Sequence, residues 1–493
     1  MSETDPTVDV DSLTFAVRAQ KFRVAASIMK RTSIPLTTEY ATRLVHLVRG
    51  ITAEELAGFF DFDEPETRIL LQELLSSGLV EDLDGRLRLS PRGQAALSPV
   101  DDSLNIFDVD EVTAIVSFDL ISFAPVADAE LADRDQRLVE ELPIPDRAKA
   151  ASSEAVAREA YDLHFQEWRS VQSPRMGLDE DSRIHTIGDA HVVRNFAAPM
   201  EVPIRYRLDN VSGASPDFAD LSAKGRAGSR DRLVDALSKR IQRVVGAADH
   251  QDAYDLVSDF DGGLFRRDGV RSALEQAAWA ELALDPARRD LAGWIAPGRR
   301  LVGSTSTASV RAALLEWPTS AADSSKTRSP VFWLPPALPH WGRSVSFASL
   351  ASALSSANSS DDGTVLLPRV DGSDVMNAHL RRCYGATQRI NALFDRCLPL
   401  KLPSVPDALE LIVKPGAWTL ALVHAPDAHT ALPFPIGYVT AAPGVVARYT
   451  HKLAELVSQT AGPSALLWHR PDENADKALL VIDEALGIKL ADE

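Results

Sequence analysis

Cysteine is almost absent from this chain: Cys383 and Cys397 are the only two in 493 residues. Two thiols cannot build a disulfide framework, and their scarcity points to a reducing, cytoplasmic setting. No apolar run approaches the ~20 residues that a membrane-spanning helix needs, so no membrane partner is expected. The opening "MSETDPTVDVDS" is acidic and polar, unlike a secretory or transit leader. Positive charge is also in short supply: 52 Lys plus Arg stand against 70 Asp plus Glu, for a formal charge of −18. A body of that sign does not wrap nucleic acid or coat an anionic membrane, and any such contact has to come from a local patch.

The usual catalytic signatures are missing as well. There is no Gly-x-Ser-x-Gly elbow, no His-Glu-x-x-His and no Cys-x-x-Cys. The stretch "GRRLVGSTST" (298–307) has the two glycines of a phosphate loop, but Ser304 occupies the lysine position. A strand, a turn and a helix capped by Ser or Thr account for it. His185, Asp189 and His191 recur at even spacing and are metal-binding types. Gly188-Asp189 favours a turn, however, and no third histidine or acidic partner stands nearby. Asp259 and Asp261 in "SDFDGG" read as an ordinary loop. Glu410 and Lys414 read as a surface pair, and Cys383 and Cys397 as packing residues on one long helix. No catalytic residue, metal site or cofactor is therefore expected.

What the chain does have is ordinary globular composition, 45% apolar and 25% charged, with length enough for about three domains. Residues 1–15 read as disordered. Residues 16–36 read as a solvated helix and linker carrying Arg18, Lys21, Arg23, Lys30 and Arg31 without an acid. From Thr38 to Ala96 the pattern predicts three helices and a hairpin. Thr37 or Thr38 would cap the first helix, whose apolar stripe lies in 43–48. Thr52 caps the second, with Leu56, Ala57, Phe59 and Phe60 on its apolar side. Pro65 opens the third, with Ile69, Leu70, Leu71, Leu74 and Leu75 as its core candidates. Asp84-Gly85 then turns a hairpin.

With "GITAEELAGFF", "LLQELLSSGLVE" and "DGRLRLSPRG", this segment resembles bacterial winged helix-turn-helix domains. The resemblance implies binding to DNA or to protein. The third helix and the wing would offer Arg68, Arg86 and Arg88 to phosphates, with Arg92 beside them. Across Thr38–Ser98 six Arg face eleven acids, so docking on protein stands slightly ahead of duplex reading.

Beyond the acidic linker, "VTAIVSFDLISFAPV" reads as a buried strand. Residues 146–172 read as one long helix with Ala157, Ala160, Tyr161, His164, Phe165 and Trp168 on one side. Residues 182–208 read as two or three strands. In 221–245 the cations Lys224, Arg226, Arg232, Lys239 and Arg243 outnumber acids. On a helix, Leu233, Leu237, Ile241 and Val244 would form its apolar seam, with Arg232, Lys239 and Arg243 opposite. If nucleic acid binds, this stripe is where it is expected.

The alternation of helices and strands after 345 predicts an α/β layer with a mostly parallel sheet. The expected organisation is therefore multi-domain α/β. A winged helix (16–98) leads to a mixed α+β middle domain (108–317), a connector (318–344) and an α/β domain (345–493). In "VLLPRV", "LELIVKPGAWTLALVH" and "IGYVTAAPG" the last region resembles the phospholipase D-like fold. That resemblance places Trp418 where the nucleophilic histidine would stand and Leu420 at the lysine, and so implies an inactive relative. His424, His429 and His451 lie nearby without the motif's spacing.

Three functions fit. The first is a non-catalytic cytoplasmic subunit engaging double-stranded DNA or a DNA-bound partner, by analogy with winged-helix subunits of bacterial antiviral multi-gene systems. The others are a phosphodiester-cleaving enzyme with a non-standard site and an adaptor touching protein alone.

Overall fold

The computed structural model describes residues 7–488, apart from 32–33, 98–103, 105, 177, 179, 209–212, 223–227, 247–248, 264, 266–272, 292–294, 296, 321–327, 359–362, 371–372, 402–404, 428–429, 431 and 461–464. In chain order the first elements are β1 (Thr7–Arg31), α1 (Leu36–Val48), α2 (Ala53–Phe60), α3 (Glu64–Ser76), β2 (Val80–Leu83), β3 (Arg86–Leu89), α4 (Pro91–Ala96) and β4 (Phe107–Asp119). Next come α5 (Asp133–Gln136), β5 (Glu140–Glu141), α6 (Arg147–Ala151), α7 (Ser153–Leu163), α8 (Phe165–Met176), β6 (Arg183–Arg207), β7 (Ala214–Pro216) and α9 (Ala219–Ser222). Then follow α10 (Asp231–Val244), α11 (Gln251–Asp261), α12 (Ala273–Leu284), β8 (Gly298–Val302), α13 (Ala308–Ser320), β9 (Val331–Leu334) and α14 (Val345–Ala357). The last are β10 (Thr364–Leu366), β11 (Arg369–Val370), α15 (Asp374–Tyr384), β12 (Arg396–Cys397), β13 (Leu400–Lys401), β14 (Leu409–Lys414), β15 (Trp418–Pro426), β16 (Pro433–Thr440), α16 (Pro443–Ser458) and α17 (Ala475–Leu486).

The chain divides into two compact units. The larger comprises 1–20, 119–150 and 195–493, the smaller 21–118 and 151–194. The long strands β1 and β6 contribute residues to both units. They belong to a sheet of order β4-β1-β6-β7, with β5 also paired to β1.

In the smaller unit, α1, α2 and α3 precede the β2–β3 hairpin, as the pattern predicts. Thr52 and Asp63 each accept a backbone N–H three residues on, and Glu55 and Glu66 answer with their carboxylates, so both helices open with a capping box. Asp84 and Gly85 turn the hairpin, both with positive φ. The core holds Ala41, Val45, Leu56, Leu70 and Leu74, closed by Leu79 and Leu87. Helix α1 starts at Leu36 behind Pro35, so neither Thr37 nor Thr38 caps it; the Thr38 hydroxyl donates to Glu73 instead. Phe59, Ile69 and Leu75, core candidates by periodicity, are exposed. So are Leu47 and Val48, because the buried stripe of α1 runs through Thr38, Ala41, Thr42 and Val45. Helices α6 to α8 replace the single helix expected over 146–172, yet Ala157, Tyr161, His164 and Trp168 are buried as its stripe required.

The larger unit is built on a seven-stranded sheet, order β12-β10-β9-β14-β15-β16-β8. The β9–β10 and β10–β12 pairs are parallel, while β9–β14, β14–β15, β15–β16 and β16–β8 are antiparallel. The sheet is thus mixed and not mostly parallel: the hairpin turn at Gly416 folds β14 directly back on β15. Strand alternation separates two cores. Phe332, Leu411, Val423 and Ile436 face one side with α10, α11, α12, α16 and α17; Trp333, Ile412, Leu420 and Val439 face the other with α13, α14 and α15. With both faces covered, β14, β15 and β16 read as nearly continuous apolar runs.

Several expectations fail for definite reasons. Residues 7–15 are a buried strand, with Val10, Leu13 and Phe15 in the core. Residues 16–31 continue that strand, and Arg18, Lys30 and Arg31 are paired with Glu141, Asp110 and Asp181. Within 182–208 the structure has one strand, β6 (Arg183–Arg207), that runs straight through Gly188-Asp189. The boundary at 318–344 disappears: β8 hydrogen-bonds along β16, and β9 lies within the sheet. Cys383 and Cys397 lie on α15 and β12, not on one helix. Among the described residues, no helix is long and apolar enough to cross a membrane.

Candidate functional site

In the larger unit a charged residue sits in the middle of an apolar strand. Glu410, in the β14 run "LELIVK", has no exposed surface. Its alternation puts it on the face of Ile412 and Trp333, the face that α13 to α15 cover. A carboxylate there must be met by donors or it costs several kcal/mol, on the order of 3 to 5 when left unpaired. Four donors converge on it. Trp333 Nε1 of β9 and Trp341 Nε1 of the 335–344 loop each donate to Oε1 at 2.9 Å. Thr305 Oγ1 adds a longer bond of 3.3 Å. His424 Nε2 of β15 lies 2.7 Å from Oε2.

Beside this group lies a second one. Ser304 Oγ donates to Asp11 Oδ1 at 2.6 Å, and His340 Nε2 is 3.7 Å from Asp11 Oδ2. The turn that carries Ser304 to Thr307 between β8 and α13 needs Gly303. Its φ is +99°, and an added Cβ would meet Thr307 at 2.9 Å. Ser344, which caps α14, donates to Ser306 Oγ at 3.0 Å and ties the 335–344 loop to that turn. Gly342, with φ +73°, lets the loop pass close to Tyr384, whose hydroxyl would lie 2.6 Å from an added Cβ. Burial pushes the His340 imidazole down to about 4; Asp11 pulls the other way, and His424 and Arg343 add to the lowering. His340 is therefore neutral at physiological pH.

The Trp341 ring also borders a cavity of about 590 Å³ within the same unit. That volume lies in the roughly 300–1,000 Å³ range of small-molecule sites. Its walls come from the segment around β5, the proline-rich stretch 335–339, Pro368-Arg369 and one side of α15. Among the described lining residues, Arg137, Arg343, Arg369 and Arg382 face a single carboxylate, Glu140. Glu140 is already shared by Arg343, at 3.3 Å, and by Arg240 of α10. Arg369 is a strut: it donates to the carbonyls of Asp407, Pro406 and Leu409. Burial lowers it to about 10 against the pull of Asp407, so it stays charged at neutral pH.

Arg137 is different. Its Nη1 donates to the Gly385 carbonyl, while Nε and Nη2 are buried with no protein partner. A guanidinium presenting two adjacent unmet N–H groups matches one edge of a carboxylate or phosphate. Burial pushes the Cys383 thiol on the same wall upward, against the pull of Arg382, which keeps it protonated and weakly nucleophilic. Burial, Arg382 and Arg343 lower the His379 imidazole. Met376, Tyr384 and Trp341 supply apolar surface.

The residues singled out from sequence lie elsewhere. Arg232, Lys239 and Arg243 are exposed on α10, opposite buried Leu233, Leu237, Ile241 and Val244, and Lys239 is paired with Asp235 at 2.7 Å. Lys224 and Arg226 fall outside the described residues, as does His429. In the smaller unit, Arg68 is paired with Glu64 and Arg86 donates to the Gly50 carbonyl, while Arg88 is exposed on β3. His185, Asp189 and His191 are exposed on β6, with His191 3.7 Å from Glu154. Among the described residues no group of three or more His, Cys, Asp or Glu is placed to hold a metal. Trp418 and Leu420 are buried apolar positions of β15. Glu410 and Lys414 are not a surface pair: both are buried, and Lys414 Nζ donates to Asn358 at 2.8 Å. The available signal was a lone carboxylate inside an apolar run, which buried strands seldom carry. No protein-family model, curated protein or solved structure matches this chain.

Two outcomes follow from the buried cluster. Glu410→Ala strands two indole N–H groups and an imidazole, and is expected to cost roughly 3 to 5 kcal/mol in denaturant unfolding. A loss under about 1 kcal/mol would contradict the network. His340 is depressed to about 4 in the fold from an unfolded value near 6.5. Its contribution is therefore complete above about 6.5 and fades as pH falls toward 4. His340→Gln is expected to flatten unfolding free energy across that window, and an unchanged slope would refute the assignment.

Proposed function

We propose that this chain is a non-catalytic binding protein whose larger unit holds a small anionic ligand in the arginine-lined cavity. The observation that carries this reading is Arg137, with two buried guanidinium N–H groups lacking a protein acceptor on the wall of a cavity of ligand size. The ligand carries a planar or tetrahedral oxyanion, a carboxylate or a phosphate, which Arg137 grips along one edge. Arg382 and Arg343 raise the local potential, and the rest of the ligand packs on Trp341 and Tyr384. The wall of Pro335, Pro336 and Pro339 is stiff, so little ordering cost accompanies binding.

A second reading, engagement of double-stranded DNA or a DNA-bound partner, is favoured by one observation. The exposed face of α10 carries Arg232 and Arg243 on a chain of net charge −18. The winged-helix resemblance of the smaller unit points the same way, and so does the analogy with subunits of multi-gene antiviral systems. The phospholipase D-like resemblance adds no catalytic group to it.

Isothermal titration with pyrophosphate and with a dicarboxylate tests the cavity. At least one is expected to bind with submillimolar affinity, at least tenfold weaker for Arg137→Ala, about 1.4 kcal/mol. Absence of heat with both, or an Arg137→Ala variant that binds as well as the parent, would overturn it. For α10, the triple change R232E/K239E/R243E is expected to abolish binding to labelled duplex while leaving stability within about 0.5 kcal/mol. The parent's log affinity should fall with log salt. Salt-independent binding, or binding that survives the triple change, would exclude this face.

A further inference from the structure

The smaller unit exposes apolar surface out of proportion to its size. Eight of the eighteen large apolar side chains exposed on the described residues fall between Leu36 and Leu83, Leu47 at 70% and Phe59 at 67% among them. Between α2 and α3 lies a separate groove of about 390 Å³, floored by Ala53, Ala57, Phe62 and Leu71. Phe59, Phe60 and Phe62 form a run of ring contacts at its side, with centroids 5.3 and 5.4 Å apart.

The rim of the groove is acidic. Glu54 and Glu64 stand on it, and Glu55, Asp61, Asp63 and Glu66 are exposed around it. The rim's cation, Arg68, is neutralised by Glu64 at 2.8 Å. Glu55 and Glu66 are held in place by their bonds to the Thr52 and Asp63 backbones. A duplex would bring phosphates against these carboxylates, which disfavours nucleic acid at this site. An apolar floor with negative edges fits an amphipathic helix with Leu-type side chains on one face and Lys or Arg at its flanks.

We propose that the α2–α3 groove receives such a cationic amphipathic helix from a partner protein. This surface is independent of the anion cavity, and either can fail without the other. The test uses the full chain and two labelled helical peptides of about 18 residues, one of Leu and Lys and one of Leu and Glu, followed by fluorescence anisotropy. The Leu/Lys peptide is expected to bind at least tenfold tighter than its acidic counterpart, with the advantage shrinking at high salt. E54K/E64K, which changes only exposed side chains, should reverse the order of the two peptides. Ala57→Trp, filling the floor, should weaken Leu/Lys binding at least tenfold with unchanged helical circular dichroism. If Ala57→Trp loses its fold, Thr67→Arg at the half-buried edge replaces it. Equal binding of both peptides, indifference to E54K/E64K, or displacement of the peptide by duplex DNA would overturn the proposal.

Discussion

A carboxylate in the middle of a sheet covered on both faces has to be satisfied from within, and Glu410 sets that condition for the larger unit. Its donors come from four separate segments: Trp333 in β9, Trp341 in the 335–344 loop, His424 in β15 and Thr305 in the β8–α13 turn. Meeting them brings the loop against the sheet. Ser344 and Ser306 join the loop to the β8–α13 turn, and Ser304 passes the connection to Asp11 at the start of the chain. Charge burial here does not add much net stability, because desolvation offsets most of the attraction. What it does is restrict the loop to the arrangement in which every donor is used. Trp341, so fixed, becomes a wall of the arginine-lined cavity.

On a chain with eighteen more formal negative than positive charges, Arg137, Arg343, Arg369 and Arg382 line one cavity, with Glu140 shared between Arg240 and Arg343. Of the outward-facing cations, Arg18, Arg68 and Lys239 are each paired with a nearby carboxylate. The smaller unit shows solvent an apolar and acidic surface instead. The two proposed sites thus have opposite chemistries, a cavity lined by arginines and a groove rimmed by carboxylates.

Local signals in the sequence were sufficient where local physics decides. The Thr52 cap, the opening of the third helix by Pro65, the Asp84-Gly85 turn and the Leu233-Leu237-Ile241-Val244 seam are short-range patterns, and the chain obeys them. Long-range pairing was not legible. Nothing in 7–31 announces a 25-residue strand, because its burial depends on β4 and β6 far along the chain. The sheet's directions were misjudged for the same reason: alternation of helices and strands does not specify that β14, β15 and β16 fold back on one another. Phe59 and Ile69 fit helical periodicity equally well as core or as an open interface. Glu410 and His424 could have been flagged as polar residues in apolar strands. Their convergence with Asp11 and His340 required the fold.

The proposed function rests on the cavity beside Trp341 taking an oxyanion through Arg137. Diffraction from crystals soaked in tungstate, a tetrahedral oxyanion with strong anomalous signal, tests it most directly. The expected result is a peak within hydrogen-bond distance of Arg137 Nε and Nη2, absent from crystals of Arg137→Ala. Tungstate ordered only on outer faces such as α10, or a cavity free of anomalous density at saturating concentration, would contradict it.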